Sequence, residues 1–155
     1  MINAEPLIKI KSLFFDKAGV VNKVDKATRK VLSKFGAFVR TTAKSSIRKR
    51  KKPSAPGSPP SSHVGLLKKF IFFSYEPQSR NVVIGPVLLS SKKSSGSNTV
   101  PGVLEYGGKT QRAVWDDSEK QRKQKNVTIR KRPFMHPAFD KELSKLPAMW
   151  RDSVK

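Results

Sequence analysis

The residue types that transfer protons, attack as nucleophiles or hold metals are scarce in this chain. There is no cysteine, which removes disulfides, thiolate catalysis and cysteine metal ligands together. The two histidines are His63, in a Pro/Ser-rich stretch, and His136, between Met135 and Pro137. Neither lies in a nucleophile, zinc or paired-carboxylate signature, so a solvated loop position and a turn or helix-start position are the readings. Gly57 and the pair Gly107 and Gly108 lack the spacing, and the following Lys-Ser or Lys-Thr, of a phosphate-binding loop. No catalytic residue, metal ligand or cofactor site is expected, and the chain reads as a non-enzyme.

What the residues offer instead is charge. There are 33 Lys and Arg against 11 Asp and Glu, a net charge of +22. Such an excess repels itself in a free monomer and calls for a polyanion, an acidic protein partner, or both. It is also regional, since Lys26 to Tyr75 holds 13 cations and no acid. Within that region Arg48, Lys49, Arg50, Lys51 and Lys52 are consecutive. A five-cation run neutralises phosphates without reading base sequence, and its binding falls steeply with salt. An acidic protein surface would serve it equally well, and a merely solvated tail is the third reading. The densest acids, Asp116, Asp117 and Glu119, follow Trp115.

The element that positions the run is a helix from Asp16 to Ser46. Val20, Val24, Ala27, Val31, Phe35, Phe38 and Thr42 fall on one stripe at about 100° per residue. The other faces carry Lys23, Lys26, Arg29, Lys30, Lys34, Arg40 and Lys44. The helix is therefore basic wherever it is wet. Asp16 suits an N-cap. Gly36, interior and beside Phe35, marks a close crossing by another element, because Gly costs about 1 kcal/mol relative to Ala in a helix.

Around this helix, Leu7 to Phe15 reads as a short strand leading in. Pro53 to Ser62 is a proline-rich loop with few ladder donors. Gly65 to Phe73 is an apolar block that makes one helical turn or runs directly into a strand, and Asn81 to Val87 reads as its hairpin partner. Phe70, Phe72, Phe73 and Tyr75 read as core under the helix, with a stacking platform for single strands as the other possibility. Ser90 to Thr99 is low-complexity, Val100 to Gly108 returns to structure, and Lys109 to Lys125 is polar. Asn126 to Arg132 alternates as a strand, and Pro137 to Val154 is helical until Pro147 bends or restarts it. The expectation is one α+β domain over 1–155, with about four mostly antiparallel strands against the long helix and a C-terminal helix. Segments 47–63, 89–99 and 109–125 are expected as extended loops that order against neighbouring subunits. Met1 to Phe15 does not read as a signal peptide and no window approaches 18 apolar residues, so synthesis in the cytoplasm and no membrane partner are expected.

Three separated segments fit a known pattern. Ser54-Ala55-Pro56-Gly57-Ser58-Pro59-Pro60, with Gly65-Leu66-Leu67 and Ile71 behind it, resembles a segment of tailed-bacteriophage neck and tail-completion proteins. Leu104-Glu105-Tyr106-Gly107 is similar to a second segment of that family, and Arg132-Pro133-Phe134-Met135-His136-Pro137-Ala138-Phe139 to the lead into its last helix. The serine-rich insertion and the density of Lys and Arg depart from the family. The resemblance implies a structural subunit at the head-to-tail junction of a virion, made in a bacterial host. It further implies a homo-oligomeric, usually six-fold ring that surrounds the DNA passage and meets other neck, connector and tail-tube proteins. Subunit contacts are then expected at Pro56, Gly57, Pro59, Pro60 and His63 and at Trp115, Asp116 and Asp117. The cations Arg48 to Lys52 would face double-stranded DNA in the lumen or acidic partner subunits. The reading from another class is a free-standing nucleic-acid-binding protein that uses the basic helix and the same run.

Overall fold

The structure is a computed structural model that describes residues 16–87, 99–116, 118, 121–151 and 153. The expected strand at Leu7 to Phe15 and the serine-rich stretch Ser90 to Asn98 lie outside the described residues.

Helix α1, Lys17–Ser46, is the spine. Asp16 caps it, with its Oδ1 accepting the Gly19 amide proton at 2.9 Å, which satisfies one of the four amides a helix start leaves unpaired. Its buried row is Ala27, Val31, Phe35, Val39 and Ala43, continued by Ile47 just past the end. The expected stripe is right in the middle and wrong at both ends. Val20 and Val24 are exposed, and Val39 and Ala43 take the places assigned to Phe38 and Thr42. A row at spacing four inclines across the helix surface, and the elements packed on α1 follow that incline. Phe38 is left beside the row, its ring within 6 Å of the ammonium groups of Lys34 and Lys145.

Strands β1 (Arg48–Lys49) and β2 (Ser61–Ser62) pair in parallel and close the proline-rich loop. A four-residue helix α2, Leu66–Lys69, then leads into β3, Ile71–Glu76. β3 and β4, Asn81–Pro86, form an antiparallel hairpin with Ile71 opposite Pro86 and Glu76 opposite Asn81. The hairpin lies across α1 at Gly36, where an added Cβ would sit 2.8 Å from Val82 Cγ2 and 2.9 Å from Phe73 Cδ2. This is the close crossing that the interior glycine marked. Arg80, in the turn, pairs with Asp25 of α1 at 2.9 Å.

Helix α3, Val100–Tyr106, starts at a Thr99 cap and stops at Gly107 in left-handed backbone, φ +78°. The segment 109–125, expected as a loop, is instead most of a second hairpin, β5 (Gly108–Asp116) with β6 (Gln121–Ile129). The chain ends in α4, His136–Leu143, and α5, Leu146–Arg151. The break falls just before Pro147, which suits the first turn of a helix and no later position. The class is α+β as expected, although among the described residues the strands form three separate two-stranded ladders and not one four-stranded sheet.

The core is small. Phe35, Val39, Ala43 and Ile47 pack with Ile71 of β3 and with Phe134 and Ala138 at the start of α4. Phe139 meets Phe35 edge to face at 5.6 Å.

Candidate functional site

Past Ile47 the chain turns a corner, and three distant segments are tied together there. Gly57 adopts φ +81°, a left-handed turn open to glycine, and its amide donates to the Lys131 carbonyl at 2.9 Å. Arg132 Nε donates to the Ser54 carbonyl at 3.0 Å, and the Arg132 amide donates to the Leu104 carbonyl at 2.6 Å. Gly107 runs so close to the strand leading out of β6 that a Cβ would lie 3.1 Å from the Lys131 nitrogen.

Glu105 holds the corner together. Its side chain is buried to 9% exposure, and its Oε2 accepts amide protons from Phe134 at 2.9 Å and Met135 at 3.1 Å. Oε1 accepts from His136 at 2.8 Å. Those amides are at the N-terminus of α4, which lacks a side-chain cap of its own. A carboxylate from α3 therefore caps α4 across the fold, and the positive end of the helix dipole favours its charge. A second buried acid, Glu142, pins α4 to α1. It accepts from the Lys145 ammonium at 2.6 Å and from the Thr42 hydroxyl at 2.7 Å. Those two hydrogen bonds, first that of Lys145, hold its carboxyl below its usual range against the opposing effect of burial.

The cations surround this corner. Arg48 to Lys52 are all exposed, and none pairs with a carboxylate among the described residues. A cleft of about 550 Å3 opens between the end of α1, the proline-rich loop and α4, with Arg48, Arg50 and Lys141 among its walls and Pro59, Pro60 and Phe134 lining it as well. A second cleft of about 450 Å3 is lined by Ser54, Ser61, His63, Arg130 and Arg132. The Ser54 and Ser61 hydroxyls are buried without a hydrogen-bond partner. Along α1, Arg40 and Lys44 both stand under 6 Å from the Phe72 ring, which is 44% exposed. Burial, with Arg40 and Lys68 nearby, lowers the Lys44 pKa. Phe73 and Tyr75 turn toward the helix, as the core reading had it, while Phe72 turns out.

The sequence-derived contact residues fall into two groups. Arg48 to Lys52, Pro56, Gly57, Pro59, Pro60 and His63 come together at the corner. Pro60 is buried, and Pro56 and Gly57 are exposed at the turn. The loop is thus pinned by its own chain, where an excursion ordered by neighbours was expected. Trp115, 56% exposed, and Asp116, paired with Lys123 at 3.2 Å, are at the far end of β5, roughly 27 Å along the ladder. Asp117 lies outside the described residues. Among the described residues no three His, Asp or Glu side chains are placed to share a metal ion. No helix among them is long and apolar enough to cross a membrane. Compared with protein-family models, with curated proteins and with solved structures, the chain matches none of them.

Glu105, Glu142 and Arg132 have structural roles that the sequence reading did not assign. Glu105 and Arg132 each stand inside one of the resembling segments, which was their signal, and Glu142 had none.

Proposed function

We propose that this chain is a structural, non-enzymatic subunit of a tailed-phage neck or tail-completion ring, joining head to tail around the DNA passage. The observation that carries this reading is the convergence of the three resembling segments on one corner. They are far apart in sequence, yet each supplies what the others lack. The proline-rich segment offers the Ser54 carbonyl and the Gly57 amide, the second segment offers the Glu105 carboxylate, and the third offers the Arg132 guanidinium and the open amides of α4. Parts that interlock in this way support reading the three segments as one built feature. The corner also presents an open cationic cleft and an exposed turn beside it, a surface suited to a heterologous contact that closes a ring.

The test is assembly. Purified chain is passed through size exclusion with light scattering at low and high salt, and mixed with tailless heads and headless tails. A ring that persists at both salts, or attachment to either virion part, is the expected result. A monomer at both salts with no affinity for heads or tails removes the reading. In that case the exposed run Arg48 to Lys52 favours the free-standing nucleic-acid-binding alternative. Replacing the five with serine should then abolish DNA retention, whereas for a ring subunit it weakens assembly or DNA contact and leaves folding intact.

A further inference from the structure

The β5–β6 hairpin does not behave like part of the body. Each strand is nine residues long, and most of their side chains are exposed. A two-stranded ribbon alone in water is marginally stable, so one this long points to something that covers it. Its composition says what. Outside residues 116–120 the ribbon carries Lys109, Arg112, Arg122, Lys123 and Lys125 and no acid, while Asp116, the last residue of β5, pairs with Lys123. The register sets Lys109 and Arg122 on one face and Lys123 and Lys125 on the other. Cations on both faces suit a partner that surrounds the ribbon with negative charge. A second copy of this chain, itself +22, would meet it with like charge.

We infer that the β5–β6 ribbon is a DNA-contacting arm that lays its cationic shaft against the phosphates of a duplex. At about 3.4 Å per residue it is roughly 30 Å long, close to one helical turn of B-DNA, and a two-stranded ribbon fits the major groove. The shaft also carries the amides Gln111, Gln121, Gln124 and Asn126, and it is the cations beside them that meet the phosphate backbone, a contact independent of sequence. Trp115, exposed near the tip, gives the arm an apolar end beyond the charged shaft. The inference deepens the proposed ring by naming its DNA-facing element, and rests on that reading only for the source of the duplex.

The test is fluorescence anisotropy of the full chain with a 30-bp mixed-sequence duplex, read as the slope of log K against log salt. Lys109→Gln, Arg122→Gln and Lys125→Gln together should lower that slope by up to about 2.7, three contacts at about 0.9 each. The charge-conserving set Lys109→Arg, Arg122→Lys and Lys125→Arg should restore it, which separates charge from folding. A matched triple on the wet face of α1, Lys23→Gln, Lys26→Gln and Arg29→Gln, should leave it nearly unchanged. The inference is overturned if the α1 triple lowers the slope as much as the arm triple, or if the arm triple abolishes association between copies while leaving duplex binding intact. Oligomer mass measured without DNA on the same variants keeps the two readings apart. A monomer that shows the slope change keeps the arm and loses the ring, and a ring without the slope change keeps the ring and loses the arm.

Discussion

At the scale of single residues, the two buried carboxylates bear most weight, and they make different predictions. Glu105 satisfies three amides at the start of α4. Removing it leaves donors that nothing else in the fold reaches, and each orphaned donor costs about 1–3 kcal/mol. Glu105→Ala should therefore lower the free energy of unfolding by about 3 kcal/mol, read from the urea midpoint. Glu105→Gln should cost less, because it keeps one acceptor oxygen. A loss under about 0.5 kcal/mol for Glu105→Ala would mean that water replaces the carboxylate and that the cap is incidental. Glu142 adds a pH dependence. Its carboxyl titrates lower in the folded chain than in the unfolded one, so the unfolded state takes up the proton first as pH falls. The stabilisation is complete above the ordinary carboxylate value of about 4.3 and disappears as pH drops through it toward the folded value. Wild type should exceed Glu142→Gln in stability at pH 7, and the gap should close below about pH 4. A gap that stays constant from pH 7 to pH 3 would show that Glu142 acts by shape alone. The role of neither acid was legible in the sequence, although Glu105 stands inside a resembling segment. A carboxylate is usually wet, and only the fold reveals that its partners are 29 and 100 residues away.

At the scale of elements, α1 was readable and most of the ribbon was not, and the reason is packing. α1 buries a row against several neighbours, which forces an apolar periodicity into its sequence. Most of β5 and β6 buries almost nothing, so no alternation is imposed on residues 109–125, which look like a polar loop, and only the end of β6, where Val127 and Ile129 are half-buried, falls in the strand read at Asn126 to Arg132. The short α3 was hidden for a related reason. Its Val-Pro-Gly start has poor helix propensity, and the Thr99 cap with a proline in the first turn outweighs it. Gly36 was readable because its type contradicts its setting. In an exposed helix interior, Gly→Ala stabilises by about 1 kcal/mol. Here the new methyl would press on Phe73 and Val82 at under 3 Å, and overpacking of this kind costs about 1–3 kcal/mol. Gly36→Ala should thus lower the melting temperature. A second change, Val82→Ala in the Gly36→Ala background, should recover part of that loss. A rise in melting temperature with Gly36→Ala alone would show that the hairpin does not lie on the helix at this point.

At the scale of the whole molecule, charge bears on the proposed ring. Each chain brings +22, and a closed ring would multiply that charge within a few nanometres. The contact surfaces must overcome this repulsion, or something anionic must cancel it. Salt separates the two cases, because screening shortens the Debye length from about 10 Å at 0.1 M to about 3 Å at 1 M. Without DNA, contacts between like-charged copies strengthen as the repulsion between them is screened. Contacts between cations and phosphates weaken over the same range through counterion uptake. The DNA-free ring should therefore hold at least as firmly at 1 M salt as at 0.1 M, measured by sedimentation velocity, while its affinity for a duplex falls steeply. Adding a short duplex at 0.1 M should promote the ring as high salt does, by neutralising the same charge. Opposite behaviour, a DNA-free oligomer that dissociates as salt rises, would mean that the copies are joined by ion pairs across the interface. The proline-rich corner with Arg48 to Lys52, and not the β5–β6 ribbon, would then be the place to look for them.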